Sequence, residues 1–335
     1  MNIYVAHLLA RLLSVANTLG INRSKIEKFR SDAVDLDFYE QRIKKGISNL
    51  KYIFPELKAN QNSSTMLEFG TGAHGIDFMI ANLIGFKNIY TVDINNHLQL
   101  KWPKAADIFL KFEDDFKKLF EIEESEFKNR VAIIKSSQSI DEFLEHINCT
   151  YLNFDELRSG FSNGDKIDLW YSESNLQRIP LDDILRIFTI VGDEISENIV
   201  AFHRFDLKDI HTQPAYQLYA PKVHRFEFLK HNDVVWKILN SDRYSSQNRL
   251  RLPQYNEMFA GLGLSVVKGE CLIHTGDEEI LKQMKLANMF KYLSPKQLAV
   301  ASARIIYSKS SNGKIPATFD DKVVYLKDNF EDENI

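Results

Sequence analysis

The 335-residue chain contains only two cysteines, Cys149 and Cys271, which lie far apart in the sequence. Neither has neighbours at metal-ligand spacing, so we expect two ordinary buried thiols in a reducing, cytoplasmic protein. No apolar run approaches the ~18 residues that a membrane-spanning helix needs. Arg11 interrupts the apolar N-terminal stretch and no basic segment precedes it, which argues against a signal peptide.

An excess of positive charge is also absent. The formal net charge is −4 and no long basic run occurs, so the sequence gives no indication of a nucleic-acid-binding track. Hydrophobic residues make up 44% and charged residues 26%, which is typical of a soluble globular protein. The length allows one large α/β domain with additions, or two domains.

Glycine is sparse, with 14 residues, yet three glycines fall in one short stretch. The apolar run 66–69 predicts a buried strand, the segment Gly70-Thr71-Gly72-Ala73-His74-Gly75 follows it, and a helix is predicted from Ile76 to about Leu83. A second apolar run, 89–92, ends at Asp93. This order of strand, glycine turn, helix, strand and acid is the form of a nucleotide-binding βαβ unit. Glycines permit a tight turn and close approach of a ligand, and the acid can accept both ribose hydroxyls.

Glu68, two residues before the first glycine, helps to choose between cofactor classes. A dinucleotide places a pyrophosphate at the helix N-terminus, beside which a buried carboxylate is unfavourable. S-adenosylmethionine carries no phosphate, but has a sulfonium and an ammonium group. The acid-x-Gly-x-Gly pattern resembles motif I of the class I S-adenosylmethionine-dependent methyltransferases, and Asp93 resembles their ribose-binding acid. The third glycine of that motif usually stands where this chain has His74.

The resemblance covers about residues 60–310 and implies a fold. It implies an α/β, Rossmann-like doubly wound sheet of seven strands, mostly parallel, with an antiparallel last strand. The sequence predicts strands at 65–69, 89–93, 131–134, 167–174, 197–205, 264–272 and 303–307. We expect a helical extension over 1–58 (helices at 2–18 and about 36–50), a methyltransferase domain over 59–310 with an insertion at 212–252, and a loose polar tail over 311–335. The helix at 2–18 is interpreted as a core, lid or dimer helix rather than one that docks on a membrane surface.

The resemblance also implies cofactor contacts. The methionine end would be lined by Glu68, Gly70, Thr71, Gly72 and Gly75. Asp93 would hold the ribose, and Ser137 and Gln138, just past the predicted third strand, would flank the adenine. Tyr171 and Ser172, in the fourth strand, would border the methyl group.

A polar cluster stands at the C-terminal end of the predicted fifth strand, at the edge where open α/β sheets place their sites. It contains His203, Asp206, Asp209 and His211, and it looks like a block in methyltransferases of bacterial surface-polysaccharide and small-molecule pathways. Methyl transfer to a hydroxyl needs a base, for which we favour His203 over His211, with Asp206 orienting it. Two alternatives stay open: a divalent metal site, which is not favoured, or aspartates that cap a turn while the histidines bond backbone.

The insertion at 212–252 is rich in aromatic residues and arginine. Such side chains suit a pocket for a phosphate- or carboxylate-bearing small molecule, although a solvated basic face is an equal alternative. The residues concerned are Tyr216, Tyr219, His224, Arg225, Trp236, Arg243, Tyr244, Asn248, Arg249 and Arg251. Trp236 by itself is expected in the core.

The sequence therefore predicts an S-adenosylmethionine-dependent methyltransferase (EC 2.1.1) that acts on a hydroxyl of a sugar or other small molecule. Oxygen is preferred because the Asn-Pro-Pro-Tyr type of signature for amino-group methylation is absent. A dinucleotide oxidoreductase is the first alternative, but it tolerates Glu68 poorly. A non-catalytic partner protein with this fold is the second. We expect no stable membrane insertion and no nucleic-acid partner, and a homodimer is compatible with the sequence.

Overall fold

The computed structural model describes residues 36–57, 63–72, 74–93, 98, 102–157, 161, 164–212, 224–240, 246–309 and 319–327. The predicted helix at 2–18 lies outside this part of the chain. The domain limits at 58, 59 and 310 stay predictions. In the described residues no helix is both long enough and apolar enough to cross a membrane.

One eight-stranded sheet forms the centre of the fold, in the order β3-β2-β1-β4-β5-β7-β6-β8. Strand β7 is antiparallel to both of its neighbours, and every other pair is parallel. The strands are β1 (Thr65–Phe69), β2 (Asn88–Asp93), β3 (Cys149–Asn153), β4 (Ile167–Glu173), β5 (Ile195–Asp206), β6 (Leu264–Ile273), β7 (Val300–Lys309) and β8 (Val323–Lys327). The first seven strands have the order that the class I methyltransferase resemblance implies, so the predicted fold class is confirmed with one strand added.

Helices cover both faces of the sheet. They are α1 (Leu36–Ile53), α2 (Ile76–Ile84), α3 (Trp102–Phe109), α4 (Glu113–Phe120), α5 (Glu124–Ser136), α6 (Ile140–His146), α7 (Leu181–Glu194), α8 (Asp233–Leu239), α9 (Leu252–Gly261), α10 (Asp277–Gln283) and α11 (Pro295–Ala299). Side chains of α1 to α6 form one apolar cluster with one face of the sheet, and α7 and α9 belong to a second cluster on the other face. Strand β1 is buried along its whole length because both of its faces are covered.

Helix α1 packs closely on the sheet and on α2. Its buried residues Tyr39, Ile43, Ile47 and Leu50 recur at helical spacing and enter the same apolar cluster as α2. Gly46 faces α2, where a Cβ would come within 2.4 Å of Ile80 Cδ1. The absence of a side chain at this position therefore allows α1 to lie against the helix that follows the glycine turn.

The predicted third strand at 131–134 is wrong, because these residues lie in helix α5. Phe127, Val131 and Ile134 are buried at spacings of four and three, whereas Ile133 is exposed, which is a helical pattern. The strand that pairs with β2 is instead Cys149–Asn153. The charged region before it forms the helices α3 to α5, and the expected apolar face is confirmed, since Phe109, Phe112, Phe116 and Phe120 are all buried.

The prediction of a loose polar tail is wrong for residues 323–327. Strand β8 lies in that stretch and pairs in parallel with β6, from Gly269 opposite Val323 to Ile273 opposite Lys327. Val323 is buried and Tyr325 packs against the core. The run Val-Val-Tyr-Leu consists of strong strand formers, and this local propensity outweighs the acidic residues that surround it.

Candidate functional site

Strands β1, β2 and β4 end at the same edge of the sheet, where the strand order reverses between β1 and β4. In open α/β sheets a crevice forms at this point. The glycine turn leaves β1 here, and its Gly70 N–H donates to Val92 O at 2.8 Å. Gly72 N–H donates to Asp93 Oδ2 at 2.9 Å, so the turn and the acid at the end of β2 are in direct contact.

Glycine occupies the positions of the turn for different structural reasons. Gly70 has φ +90°, and a Cβ there would lie 1.7 Å from the side-chain amide nitrogen of Asn175, which follows β4. Gly72 has φ +61°, and a Cβ there would meet no atom of the described residues within 4 Å. Gly70 therefore makes room for a neighbouring side chain, whereas Gly72 faces open space that a ligand can enter. Gly75, at φ +57°, is the residue before helix α2.

Glu68 is fully buried inside β1, just below the turn. Its carboxyl group accepts a hydrogen bond from Thr91 Oγ1 at 2.5 Å, and Thr91 is also bonded to Thr71 of the turn. Burial, and next the nearby carboxyl of Asp77, raise the pKa of Glu68 to about 8. In the absence of a cation the group is therefore largely neutral at pH 7, and a positive charge nearby would favour its ionised form.

A second buried carboxyl, that of Asp77 in the first turn of α2, lies near enough to Glu68 to affect its pKa. Tyr171 O–H donates to Asp77 Oδ1 at 3.2 Å, and Asn49 of α1 donates to Tyr171 Oη at 2.9 Å. Burial raises the pKa of Asp77, against the opposing effect of Arg42, whose guanidinium lies 3.7 Å away. The predicted residue Tyr171 thus lies beside Glu68, its partner across β1 and β4.

The end of β4 is the other wall of the crevice. Glu173 is bound by Lys45 Nζ at 2.7 Å and by Asn49 Nδ2 at 2.7 Å. Burial alone would raise the pKa of Glu173, but Lys45 and Arg204 outweigh it and hold the pKa below its ordinary value. Ser174 then adopts φ +54°, a conformation that L-residues rarely occupy outside functional or tightly constrained positions.

His74, which replaces the usual third glycine, contacts helix α1. Its ring packs edge-on against Phe38 and Tyr39, with centroids 5.0 and 5.4 Å away, and its Nδ1 hydrogen-bonds Tyr39 Oη at 3.3 Å. Helix α1 therefore contacts the glycine turn at His74, α2 at Asp77 and the end of β4 at Glu173. It connects both walls of the crevice, which the sequence did not indicate.

These contacts predict the effect of replacing His74 by glycine. With S-adenosylhomocysteine as the probe for this crevice, His74→Gly is expected to weaken binding by roughly 3- to 10-fold, because aromatic contacts of about 0.5–1.5 kcal/mol hold the turn. His74→Phe keeps the ring contacts and should bind within about twofold of the wild type. Calorimetric titration of both variants checks this, and an unchanged affinity in His74→Gly would show that α1 does not order the turn.

The expectation that His203 stands at the open edge is wrong. Strand β5 continues to Asp206, so His203 lies inside it, on the sheet face opposite Glu68, with no exposed surface. Its ring stacks on Phe259 at 4.7 Å, meets the edge of Trp170 at 4.9 Å, and its Nδ1 is 2.8 Å from Ser172 Oγ. Burial holds the pKa of His203 well below its ordinary value. It is a neutral core residue, and Ser172 is its fully buried partner.

This burial predicts an acid-sensitive contribution to stability. The unfolded chain binds a proton at His203 near pH 6.5 and the folded chain does not, so the free energy of unfolding falls as the pH falls below that value. The slope from this residue is at most ~1.4 kcal/mol per pH unit, and the loss continues as the pH falls from about 6.5 toward the lower folded-state pKa. Urea unfolding at several pH values should show a shallower dependence for His203→Phe than for the wild type. Equal slopes would contradict the account.

The rest of the predicted catalytic cluster does not converge on one point. Asp209 is buried, and its Oδ2 accepts from Phe228 N–H at 3.0 Å, which holds a loop. Asp206, at the end of β5, lies 3.5 Å from Lys208 Nζ. The side chain of His211 lies outside the described residues. Among those residues, no group of three or more histidine, cysteine, aspartate or glutamate side chains is arranged to hold a metal ion.

The adenine contacts predicted at Ser137 and Gln138 are wrong, because they depended on the misplaced third strand. Ser137 follows helix α5, and its hydroxyl donates to Ile133 O at 3.0 Å. Gln138 is exposed next to it. The true end of β3 is Asn153, whose Oδ1 accepts from the N–H groups of Asp155 and Glu156 at 2.9 and 3.0 Å, forming a tight polar turn.

Two of the three arginines of the insertion that the structure describes, Arg249 and Arg251, are held by the fold. Arg251 is fully buried and donates to the carbonyl oxygens of Leu207, Leu298 and Val300. Burial lowers its pKa to about 9. Arg249 donates to His231 O at 2.5 Å and to Asp233 Oδ1 at 2.6 Å. Trp236 is buried, as expected. These two arginines therefore stabilise the fold through bonds to the protein's own groups and are not placed to bind an acceptor.

No family model matches the chain, and no curated protein matches it. Similar solved structures include a putative hemolysin from Lactococcus lactis, with 13% identity, TM-score 0.40, and coverage of 84% of this chain and 92% of that one. Magnesium protoporphyrin IX methyltransferase from Synechocystis PCC 6803, solved with bound S-adenosylhomocysteine, has 10% identity and TM-score 0.41, covering 86% and 96%. An O-methyltransferase family protein from Burkholderia thailandensis has 9% identity and TM-score 0.36, covering 85% and 62%. At these sequence identities and TM-scores the similarity concerns the fold alone. The fold itself is defined by the strand order of this chain.

Proposed function

We propose that the protein transfers a methyl group from S-adenosylmethionine to a small-molecule acceptor. The observation that carries this proposal is the buried Glu68 carboxyl directly below the glycine turn. A pyrophosphate close to this carboxyl would disfavour its ionised form and gain no favourable charge interaction from it, whereas the sulfonium and ammonium of S-adenosylmethionine would be stabilised by its ionised form. The nearby carboxyl of Asp77 strengthens this preference for a cationic ligand.

The other residues of the crevice fit the remaining parts of the cofactor. Gly72 offers open space and a backbone that a ligand can approach, and Asp93 stands beside it with a carboxylate for the ribose hydroxyls. In this proposal the turn at 154–156, past β3, contacts the adenine in place of Ser137 and Gln138. When bound, the cofactor supplies an electrophilic methyl group; the protein orients it and the acceptor.

The acceptor in this proposal is a hydroxyl of a sugar or other small molecule, in the cytoplasm. The resemblance to enzymes of bacterial polysaccharide and small-molecule pathways supports this choice. We do not assign the base to His203, because it is enclosed in the core. The ionised Glu173, at the end of β4, is suited to accept a hydrogen bond from the acceptor hydroxyl and so to orient its oxygen.

Calorimetric titration of the wild-type protein with S-adenosylmethionine, S-adenosylhomocysteine, NAD and NADP, with and without Mg²⁺, tests the proposal. We expect micromolar binding of the first two ligands, independent of Mg²⁺, and none of the dinucleotides. Binding of a dinucleotide alone would replace the methyltransferase with an oxidoreductase. Binding of none of the four would favour a non-catalytic partner protein.

A further inference from the structure

Two threonine hydroxyls connect the buried Glu68 carboxyl to the glycine turn. Glu68 and Thr91 are cross-strand partners of β1 and β2, and Thr91 Oγ1 donates to Glu68 Oε2 at 2.5 Å. Thr91 is fully buried, and its hydroxyl is also hydrogen-bonded to that of Thr71, which belongs to the turn itself. We call Glu68, Thr91 and Thr71 the hydroxyl relay. Its inner end lies in the core, and its outer end lies in the turn beside Gly72.

The direction of the bonds in the hydroxyl relay depends on the charge of the carboxyl. A carboxylate only accepts, a protonated carboxyl also donates, and each hydroxyl has a single hydrogen to give. When Glu68 is ionised, Thr91 donates to it and Thr71 donates to Thr91. When Glu68 is protonated and donates to Thr91, Thr91 donates to Thr71, whose own hydrogen becomes free. The turn therefore presents only oxygen lone pairs at Thr71 in the first state and a hydrogen in the second.

Charged groups on three neighbouring elements act on the carboxyl of Glu68. Burial disfavours its ionisation most strongly, and so do the carboxyls of Asp77 in α2 and Asp93 in β2. The bond from Thr91 and the guanidinium of Arg42 in α1 favour the ionised form. The balance raises the pKa of Glu68 to about 8, so about nine-tenths of the carboxyl groups are protonated at pH 7.

The other titratable neighbours of Glu68 are less suited to exchange a proton with a ligand. Tyr171 of β4 and Cys149 of β3 are buried, which raises the pKa of each well above its ordinary value, so both stay uncharged near pH 7. Asp77 accepts from Tyr171 and lies 3.7 Å from the guanidinium of Arg42, and both contacts favour its ionised form. In the described residues no cation lies within 4 Å of the Glu68 carboxyl. Glu68 is therefore the carboxyl on which an added positive charge has the largest effect.

We propose that the hydroxyl relay couples Glu68 to the ligand, so that a ligand with an ammonium group at the turn displaces the Glu68 proton to solvent. This inference rests on the proposed methyltransferase function and adds to it a protonation step and two positioning residues. The ammonium donates to Thr71, the hydrogens of both threonines turn toward Glu68, and the carboxylate stabilises the cation. A neutral ligand in the same crevice leaves the proton on Glu68. The relay thus favours a cofactor with a cationic amino-acid end.

This coupling gives cofactor binding a defined pH dependence. Because the complex holds fewer protons than the free protein, its affinity for an ammonium-bearing ligand rises as the pH rises. The rise is at most about tenfold per pH unit and levels off near pH 8, where the free carboxyl ionises by itself. A neutral ligand shows no such rise, so the preference between the two ligands grows over the same range.

Calorimetric titration at pH 7, in two buffers of different ionisation enthalpy, counts the protons released. For S-adenosylhomocysteine and the wild type we expect about 0.5–1 proton per ligand bound. Methylthioadenosine carries the adenosine and the sulfur but no amino-acid end, and should release fewer than about 0.2. Glu68→Gln, which stays uncharged, should also release fewer than about 0.2 with S-adenosylhomocysteine. This variant keeps His74 and Asp77, so it separates their protons from that of Glu68.

Thr91→Val tests the relay itself, because valine keeps the shape of the buried side chain and removes the hydroxyl. The carboxyl then loses its donor and stays protonated, so the proton release should fall to less than about half of the wild-type value. Thr65→Val is the matched control. Thr65 is a buried threonine at the other end of β1, and its hydroxyl accepts from Asn88 at 3.4 Å. This variant should release protons like the wild type.

Several results would overturn this inference alone. One is binding of S-adenosylhomocysteine to the wild type without proton release, a measurement that stands even if a variant fails to fold. The others are equal release with methylthioadenosine, or equal release by the wild type and either Glu68→Gln or Thr91→Val. Failure of S-adenosylhomocysteine to bind at all would overturn both the inference and the proposed function.

Discussion

Replacement of Asp93 by alanine is expected to weaken S-adenosylhomocysteine binding ~100-fold or more. In the proposed complex the carboxylate accepts two ribose hydroxyls, and charge-assisted hydrogen bonds contribute about 1.5–3 kcal/mol each. The substitution also removes the acceptor of the Gly72 N–H bond. Asp93→Asn keeps the shape and one acceptor oxygen, so its loss of S-adenosylhomocysteine affinity should be intermediate. Calorimetric titration of the wild type and both variants measures these affinities.

The control for this prediction is Asp107→Ala. Asp107 is exposed on helix α3 and pairs with Lys135 at 2.7 Å, so its loss changes the net charge equally without touching the crevice. Its affinity should match the wild type. If Asp93→Ala bound S-adenosylhomocysteine as well as Asp107→Ala does, the ribose would have to lie elsewhere and the assignment of the crevice would be wrong.

The second large effect is a difference between alanine substitutions at two glycines of the same turn. Gly70→Ala should strongly destabilise the fold, because φ +90° is strained for alanine and its Cβ would overlap the Asn175 side chain. Gly72→Ala also has an unfavourable φ, costing about 1–2 kcal/mol, but its Cβ meets no atom within 4 Å in the part of the chain that the structure describes. It should fold, and its main effect should be a loss of S-adenosylhomocysteine affinity out of proportion to its stability.

Thermal unfolding and titration of both variants measure this difference. Asn175→Ala provides a further check, since it removes the overlapping amide and should recover part of the stability lost in Gly70→Ala, as a double-mutant cycle would show. If Gly70→Ala were as stable as Gly72→Ala, the contact between the turn and Asn175 would not be a constraint of the folded state.

The fold was largely predictable because its strongest signals are local. The glycine turn, the acid at the end of β2 and the apolar runs of β1, β4 and β5 each carry a recognisable pattern, and the structure places them as expected. The predicted third strand was misplaced because its pattern is ambiguous. Val131-Ala132-Ile133-Ile134 is too short an apolar run to separate helix from strand. The true β3, with a burial pattern that alternates poorly, gave a weaker signal.

The candidate site was predictable only in part, for reasons of side-chain orientation and tertiary contact. His203 lies within both the predicted strand 197–205 and the observed β5, and the error was to place its side chain at the rim when it lies on a covered face of the sheet. The contributions of α1 through Arg42, Lys45 and Asn49 depend on how a helix distant in sequence lies over the sheet, which no local pattern shows. Arg204 is next to the predicted histidine in sequence, but its contact with Glu173 depends on strand register.

The most direct test of the account is an experimental structure of the protein with S-adenosylhomocysteine. We predict the ligand at the carboxyl edge of β1, β2 and β4, with its ribose on Asp93, its backbone contact at Gly72, and its amino-acid end toward Glu68 and Asp77. A ligand bound elsewhere, for example in the cavity of about 310 Å³ between His274 and Tyr325, would contradict it.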